Sequence, residues 1–400
     1  SQTPITLRGL HSPLASLIKV HLTRSESQAD MTHLHIVGSG AIGSLLAAGA
    51  EKHKVTYTRY PRFFSSSHRN EATKRCDKPT LSTFFSTLNE SSIPNEATWL
   101  DGHSFPLHGA IASPTKIDAD HVLIFPLKVY QLESALRQWL PFLHAKPVIV
   151  LLQNGMGGQE IARALLGDDY PLLLATTSHG ALKKHRDDAQ QQLVYTGLGS
   201  TTLGSIKHPN LCALADSFNA DSLLKTDSLL ETDSLGKTGK LSKAGPLSKS
   251  EYESRQLVRA YTLLNKALPP VALSNNILHA LWSKLAVNAV INPLTALNNV
   301  PNLTICDESY SELIHDICQE FVAVARACGE HFDLSEVKDK VMQIAEATGS
   351  NFSSMHQDVQ YKRETEIDAI NGYIVSIAKK KGISVPTNTL LVERVKALLD

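Results

Sequence analysis

The sequence predicts an α/β domain in the N-terminal part of the chain and an all-α domain after it. Two observations support this fold class. Short apolar strands alternate with helical stretches up to about residue 274, an order that is typical of a parallel sheet covered by helices. From about residue 275 to the end, apolar residues recur with helical spacing.

Composition limits the class of protein. A chain of 400 residues has room for about two domains. Its 39 basic and 39 acidic residues balance, so the net charge gives no electrostatic reason to expect binding to nucleic acid or to an anionic membrane. No apolar run is long enough to span a bilayer. The five cysteines include no Cys-x-x-Cys pair, which argues against a disulfide framework or a thiolate zinc site. We therefore expect a soluble, cytoplasmic protein without a metal.

The first 30 residues differ from the rest of the chain. They contain basic residues and serines but no acid before Glu26, a composition that can resemble an organelle transit peptide. We favour a simpler interpretation, in which residues 1–30 are a leader or an added extension ahead of a natural start at Met31. We predict that this segment is disordered and lies outside the fold.

A glycine-rich motif follows the first predicted strand, residues 34–37. Its spacing matches the dinucleotide-binding fingerprint, since it lies between a strand and a helix of small residues. The first glycine allows a tight turn, the second lets a pyrophosphate approach the backbone, and the third lets helix and strand pack closely. We therefore predict a Rossmann-like dinucleotide-binding domain over residues 31–274; a glycine-rich turn without a ligand is the alternative. The predicted cofactor-binding residues of this motif are Gly38, Ser39, Gly40, Ala41, Ile42 and Gly43.

The end of the second predicted strand, residues 55–58, indicates which dinucleotide binds. Folds that bind NAD usually place an acid there, whereas arginine suits a 2′-phosphate. This sequence has Arg59 and Arg62 at that place and no acid. An arginine after a strand can also be a solvated loop charge, but two in place of the acid favour NADPH.

Two polar residues follow later strands of the predicted sheet. Lys128 comes after the strand at residues 119–125, and Asn154 follows the apolar strand at residues 148–152. Ligands of open α/β sheets bind beyond the carboxyl ends of the strands, so both residues are site candidates. The alternatives are a loop charge for Lys128 and a simple turn for Asn154 with Gly155.

The remaining predictions for this domain concern strands and insertions. Further strands are predicted at residues 172–180, 192–196 and 200–203, and a helix at residues 131–140. The polar stretch 63–98 is predicted to be an insertion. Residues 221–250 begin with three six-residue repeats and continue in a Gly/Ser/Lys-rich tail, which predicts a low-complexity insertion without chemistry.

The C-terminal domain, residues 275–400, is predicted to be a helical substrate-binding domain. Its first helix carries Lys284, Asn288 and Asn292 at four-residue steps, so these side chains share one face. They could offer several donors to an oxygen-rich small molecule; a solvated helix face is the alternative. The predicted helices are residues 276–299, 307–328, 335–347, 358–381 and 388–399.

Two further residues of this domain have ordinary structural interpretations. Ser354 with Gln357 three residues later resembles a capping box, which would make Ser354 a helix N-cap. A helix start can also bind a carboxylate, so a substrate contact is compatible with that role. Glu366, considered alone, would be a surface acid.

Taken together, these residues resemble the ketopantoate reductase (2-dehydropantoate 2-reductase) family. The resemblance covers most of residues 31–400 outside the two insertions. It implies the reduction of 2-dehydropantoate to pantoate by NADPH, a step toward pantothenate and coenzyme A, in a monomer or homodimer. The segments that carry the resemblance are residues 38–43, 154–157, 281–296, 351–358 and 365–372.

The resemblance also implies roles for individual residues. Lys284 would donate the proton to the carbonyl oxygen, and Glu366 would orient the substrate hydroxyl, in a cleft between the two domains. Two alternatives stay open: a reductase of another small 2-keto acid, and a non-catalytic NADPH-binding sensor that would have lost the lysine or the acid. The implied substrate contacts are Asn288, Asn292, Ser354 and Asn154; the implied cofactor contacts outside the glycine motif are Arg59 at the 2′-phosphate, Lys128 and Asn154.

Overall fold

The structure is a computed structural model that describes residues 32–61, 93–185, 190–217 and 248–399. The predicted leader, most of the first predicted insertion and most of the second lie outside these ranges. The predictions for those segments therefore stay predictions.

Two sheets form the N-terminal part of the molecule. Their strands are, in chain order, β1 (Leu34–Val37), β2 (Tyr57–Tyr60), β3 (Glu96–Thr98), β4 (Ser104–Pro106), β5 (Ala110–Ile111), β6 (Val122–Phe125), β7 (Val148–Leu152), β8 (Leu172–Thr177), β9 (Gly180–His185), β10 (Gln191–Gly197), β11 (Thr201–Gly204) and β12 (Val271–Leu273). The larger sheet has eight strands in the order β12-β11-β8-β7-β6-β1-β2-β5, and the smaller has four in the order β4-β3-β10-β9. In the larger sheet β8 and β11 pair antiparallel, while every other neighbouring pair is parallel.

Helices cover the sheets and then make up the rest of the chain. After Leu273, the last residue of β12, every described element is helical, so the predicted fold class is confirmed. The α-helices are α1 (Ala41–Lys52), α2 (Val129–Trp139), α3 (Gly158–Leu166), α4 (Leu211–Ser217), α5 (Lys249–Ala267), α6 (Ile277–Asn298), α7 (Ser311–Ala327), α8 (Leu334–Ala347), α9 (Ser354–Gln360), α10 (Asn371–Lys381) and α11 (Pro386–Lys396). The 3-10 turns are Leu140–Phe142, Asn302–Cys306, Glu308–Tyr310 and Ile367–Ala369.

Helix α1 is enclosed between the two sheets. Residues 43–50 are all buried, because the larger sheet covers one side of the helix and strands β9 and β10 of the smaller sheet cover another. Small side chains make this possible: a Cβ atom at Gly49 would collide with the carbonyl oxygen of Ala267 at the end of α5. The glycine-rich motif therefore begins a helix that is held on several sides.

Helix α6 is continuous through Pro293, which cannot donate a backbone hydrogen bond. The carbonyl oxygen four residues earlier, at Ala289, accepts instead from Nδ2 of Asn371 at 2.8 Å. Asn371 is fully buried, and its Nδ2 also donates to Oδ1 of Asn388 at 2.9 Å. Asn371 of α10 thus replaces the hydrogen-bond donor that Pro293 lacks.

Among the described residues, no helix has both the length and the apolar character that crossing a bilayer requires. Within the same ranges, the four cysteines are free thiols: Cys212, Cys306, Cys318 and Cys328.

Candidate active site

A lysine from α6 meets the carboxyl ends of two neighbouring strands. Nζ of Lys284 donates to Oδ1 of Asn154 at 2.8 Å and to the carbonyl oxygen of Thr177 at 2.6 Å. Asn154 follows β7 directly in the chain order, and Thr177 ends β8. The structure therefore brings the helical domain onto the edge of the sheet where ligands of α/β proteins bind.

Glu366 completes this contact from a different segment. Its side chain is only 7% exposed, and the side-chain amide of Asn154 donates a hydrogen bond to its carboxylate. Asn154 thus links the predicted proton donor, Lys284, to the predicted orienting acid. We call this group of three the lysine pocket: Lys284, Asn154 and Glu366.

Burial moves both ionisable groups of the lysine pocket toward neutrality. Burial raises the pKa of Glu366 to about 7, an effect that Asp358 reinforces and that Lys128 and Lys284 oppose. Burial lowers the pKa of Lys284 to about 8, which Glu366 opposes. Desolvation penalises the charged form of each group, whereas the opposite charges stabilise it. Both groups can therefore change protonation state near neutral pH.

The turn after β7 fixes the position of Glu366. The backbone N–H of Met156 donates to the carbonyl oxygen of Ala369 at 2.8 Å. Gly155 has φ of +77°, and a Cβ atom there would lie 2.5 Å from the same oxygen. Only glycine allows this approach without strain. The turn and the 3-10 turn after Glu366 are consequently locked together.

The predicted continuous helix over residues 358–381 is wrong. The chain leaves helical geometry after α9, passes through Lys362 at φ of +50°, forms the short 3-10 turn Ile367–Ala369, and resumes an α-helix only at Asn371. Tertiary hydrogen bonds explain the break, because the carbonyl oxygen of Glu364 accepts from Nζ of Lys128 at 2.9 Å and from the Tyr130 hydroxyl at 3.3 Å. Contacts of this kind override local helix propensity.

Lys128 connects the two domains. Its Nζ lies 2.6 Å from Oδ2 of Asp358 in α9, and Oδ1 of the same carboxylate accepts from Nε of Arg363 at 3.1 Å. Asp358 is buried, so this pair is shielded from solvent better than a surface ion pair. The cofactor contact predicted for Lys128 stays a prediction; in this structure its ammonium group is held by the C-terminal domain.

Asn288 and Asn292 lie on the same face of α6 as Lys284, as the four-residue spacing predicts. Asn292 is 6% exposed and Asn288 is half-buried. Neither side-chain amide forms a hydrogen bond within the part of the chain that the structure describes. The two amides are therefore available to a polar ligand, and their predicted role as substrate contacts stays a prediction.

The N-cap of α9 is Ser353 and not Ser354, which corrects the predicted capping box. Oγ of Ser353 accepts from the backbone N–H of His356 at 3.0 Å, and the hydroxyls of Thr295 and Ser353 lie 2.7 Å apart. The cap thereby ties α9 to α6. Ser354, one residue later, is exposed and begins the helix, so its hydroxyl is not used by the cap.

The glycine-rich motif forms a tight turn that leads into the open start of helix α1. Gly38 has φ of +115°, and a Cβ atom at Gly43 would lie 2.5 Å from the carbonyl oxygen of Gly38. Gly40 is exposed, with no atom within 4 Å of an added Cβ. No side chain caps the start of α1, and its first turn has no acid. The N–H groups of Ala41 and Ile42 are thus at an open helix end, which suits a diphosphate.

Arg59 lies inside the sheet in this structure, and the contact with a 2′-phosphate predicted for it stays a prediction. Strand β2 runs two residues later than predicted, so Arg59 pairs with Ile36 inside the sheet. It is 7% exposed, and its guanidinium donates to three backbone carbonyl oxygens. These acceptors are Pro94 at 2.6 Å, Leu107 at 3.4 Å and Gly109 at 3.2 Å. Backbone carbonyl oxygens therefore hold the guanidinium of Arg59 in this structure, and Arg62 lies outside the described residues.

Sequence patterns missed two contributors to the site. The carbonyl oxygen of Thr177 accepts from Lys284, and a backbone group carries no residue-specific signal. Lys183 in β9 donates to the carbonyl oxygen of Ser39 inside the glycine-rich motif at 3.0 Å. Strand β9 was not predicted, and nothing in its sequence indicates that the small sheet lies over α1.

Comparisons with known proteins identify relatives over most of the chain. Residues 34–208 match the family model described as ketopantoate reductase PanE/ApbA, and residues 276–399 match its C-terminal counterpart. A 2-dehydropantoate 2-reductase from Vibrio cholerae serotype O1 is 31% identical over 363 residues, which cover 91% of this chain and 96% of the relative.

Solved structures share the fold. D-mandelate dehydrogenase, in a ternary structure with NADH and anilino(oxo)acetate, gives a TM-score of 0.67 at 19% identity over 92% of this chain and 99% of that one. A PanE/ApbA family ketopantoate reductase from Ralstonia eutropha JMP134 gives 0.63 at 20% identity with the same coverage. At these identities the likeness supports the architecture alone.

Proposed function

We propose, because the chain belongs to the ketopantoate reductase family, that it reduces 2-dehydropantoate to pantoate with NADPH. The observation that carries this proposal is the lysine pocket, where the half-buried Lys284 and the buried Glu366 meet at the junction of the two domains and are joined by Asn154. In metabolism this reaction would be a step toward pantothenate and coenzyme A, as the family implies.

The glycine-rich motif would hold the dinucleotide. The open start of α1 offers N–H groups to the diphosphate, and the empty space beside Gly40 lets it approach. When bound, the nicotinamide supplies the hydride that is added to the keto carbon. The preference for NADPH rests on the family and on the missing acid after β2, since Arg59 is committed to backbone carbonyls.

Lys284 is the group that would protonate the carbonyl oxygen. Hydride addition places negative charge on that oxygen, and a cation beside it stabilises the transition state. Two acceptors already hold the ammonium group, which has three N–H donors in all. With its pKa near 8, Lys284 is charged at pH 7 and yet a stronger acid than an exposed lysine.

Glu366 would orient the substrate by accepting a hydrogen bond from its hydroxyl group. The ionised carboxylate is the stronger acceptor, and a pKa near 7 keeps a substantial fraction of Glu366 ionised at neutral pH. Asn288, Asn292 and Ser354 would contribute further polar contacts to the same small molecule. The carboxyl, keto and hydroxyl groups of 2-dehydropantoate match this mixture of cation, carboxylate and amides.

The experiment is a turnover assay that follows the loss of NADPH absorbance with 2-dehydropantoate, beside NADH and beside other 2-keto acids that lack the hydroxyl group. We expect turnover to be fastest with NADPH and 2-dehydropantoate. Faster turnover of a keto acid without the hydroxyl group would instead support the alternative that the protein is a reductase of another small 2-keto acid. If the protein binds NADPH but turns over none of these acids, the result would contradict the proposal and favour the alternative of a non-catalytic NADPH-binding sensor.

A further inference from the structure

Strand β9 of the smaller sheet carries a lysine to the start of α1. Nζ of Lys183 donates to the carbonyl oxygen of Ser39, between the first two glycines of the motif, at 3.0 Å. The position follows from packing, because β9 contacts α1 and stands at the edge of its own sheet. A cation from outside the motif thus reaches the turn where the phosphates would lie.

The neighbouring residue provides an internal contrast. Lys183 pairs with Leu193 of β10 and is half-buried, whereas Lys184 pairs with Gln192 and is exposed. Successive side chains of a strand point to opposite faces. The chain therefore presents one lysine to the glycine-rich motif and the next one to solvent.

The ammonium group of Lys183 is partly buried at this turn. Burial lowers the pKa of Lys183 to about 8, and the cationic side chain of Arg363 lowers it further. A diphosphate beside this ammonium group would stabilise its charged form. The open start of α1 lies at the same turn, so the positive charge of Lys183 and the helix dipole of α1 would both attract an anion there.

We propose that Lys183 is a second anchor of the cofactor's diphosphate, a role that rests on the proposed function. The ammonium group binds the diphosphate together with the N–H groups at the start of α1, while its bond to Ser39 keeps the turn in shape. The diphosphate is common to NADPH and NADH. Lys183 therefore contributes to the affinity for both dinucleotides equally and does not select between them.

A purely structural role makes a different prediction. If Lys183 served only to hold the carbonyl oxygen of Ser39, a side chain that still donates a hydrogen bond would replace it and its charge would be irrelevant. Lys183→Gln keeps a donor and removes the charge, whereas Lys183→Arg keeps the charge. Lys184→Gln is the matched control on the opposite face of the same strand.

The experiment measures dissociation constants of NADPH and NADH for the full chain and these three variants at two salt concentrations, with thermal unfolding to confirm that each is folded. We expect Lys183→Gln to raise both constants about tenfold, with their ratio unchanged and with a weaker dependence on salt. Lys183→Arg should stay within about threefold of the unchanged protein, and Lys184→Gln should be indistinguishable from it.

Three results overturn the inference. Equal affinities for Lys183→Gln and Lys184→Gln would show that Lys183 acts only on the turn, and a loss confined to NADPH would place the lysine at the 2′-phosphate. Should Lys183→Gln not fold, an Lys183→Arg variant that loses affinity for both dinucleotides at low salt would also overturn it. If the unchanged protein binds neither dinucleotide, the proposed function itself fails, a result distinct from the other three.

Discussion

The two ends of the candidate site, the glycine-rich motif and the lysine pocket, use different kinds of chemical group. At the glycine-rich motif, the proposed binding groups are mainly backbone N–H groups of one contiguous stretch, and the glycines leave room for the ligand. At the lysine pocket, the proposed binding groups are side chains from distant segments: Asn154 and Glu366 lie more than 200 residues apart, with Lys284 between them in sequence, and Lys284 and Glu366 are ionisable.

The difference shows how each end responds to change. Backbone donors do not titrate, so the affinity that they supply is sensitive to added volume and insensitive to pH. Only the contribution proposed for Lys183, whose pKa is about 8, should weaken as the pH rises above that value. The lysine pocket depends on desolvated charges, so it is sensitive to pH and to the removal of a single side chain. The four predictions below test this contrast, beginning with the largest expected effect.

Removing the ammonium group of Lys284 should have the largest effect. We expect Lys284→Met to lower kcat by about 100- to 10,000-fold, because both the proton donor and the charge near the carbonyl oxygen are lost. The dissociation constant of NADPH should change by less than about threefold, since the motif is intact. Lys340→Met is the control, because Lys340 is exposed and donates its hydrogen bond to the hydroxyl of Ser283 on α6, outside the lysine pocket. If Lys284→Met also lost NADPH binding, the lysine pocket and the glycine-rich motif would not act independently, contrary to this prediction.

The lysine pocket should give a bell-shaped pH profile of kcat/KM with its maximum between about 7 and 8. Activity rises as Glu366 ionises through about 7 and falls as Lys284 loses its proton through about 8. Glu366→Gln should lower kcat/KM about 10- to 100-fold and remove the acidic limb while keeping the alkaline one. An acidic limb that persists in this variant would assign it to another group.

Within the glycine-rich motif, two alanine substitutions should separate stability from binding. A Cβ atom at Gly43 would press on the carbonyl oxygen of Gly38, so Gly43→Ala should lower the free energy of unfolding by about 1–3 kcal/mol and weaken NADPH binding. Gly40→Ala has free space, so it should leave thermal stability unchanged and weaken NADPH binding about tenfold. Neither effect should vary with pH between 6 and 9. Unchanged NADPH affinity in Gly40→Ala would mean that no ligand approaches this glycine.

Arg59 should matter for stability and hardly at all for the choice of dinucleotide. Arg59→Met leaves three carbonyl oxygens without their donor and should lower the free energy of unfolding by about 2–4 kcal/mol. The ratio of NADPH to NADH affinity should stay within about twofold of its original value. Titration of both dinucleotides with the folded variant provides the measurement, and a shift of the ratio toward NADH would restore the role first predicted for this arginine.

Local patterns predicted the framework of the protein well. Strands β1 and β7 lie at the predicted residues, and α6 begins and ends within one residue of its prediction. These elements have strong apolar runs or a clear helical period, and neighbours in sequence are neighbours in the element. The strand β9 and the break after α9 were missed because tertiary contacts create them: the first pairs with β10, and the second is held by Lys128 and Tyr130.

For the site, pattern and position pointed to Lys284 and Asn154, and only the family resemblance pointed to Glu366, which by itself reads as a surface acid. The electrostatic state of these residues could not be predicted from the sequence. Residue types and spacing place Lys284 on one face of a helix and the glycines at the start of another, because backbone geometry is local. The pKa of a group depends instead on the desolvation and charges brought by distant segments. The same reason explains Arg59 and Lys183: both are cations in strands, and only packing decided that one is tied to backbone carbonyls while the other reaches the glycine-rich motif.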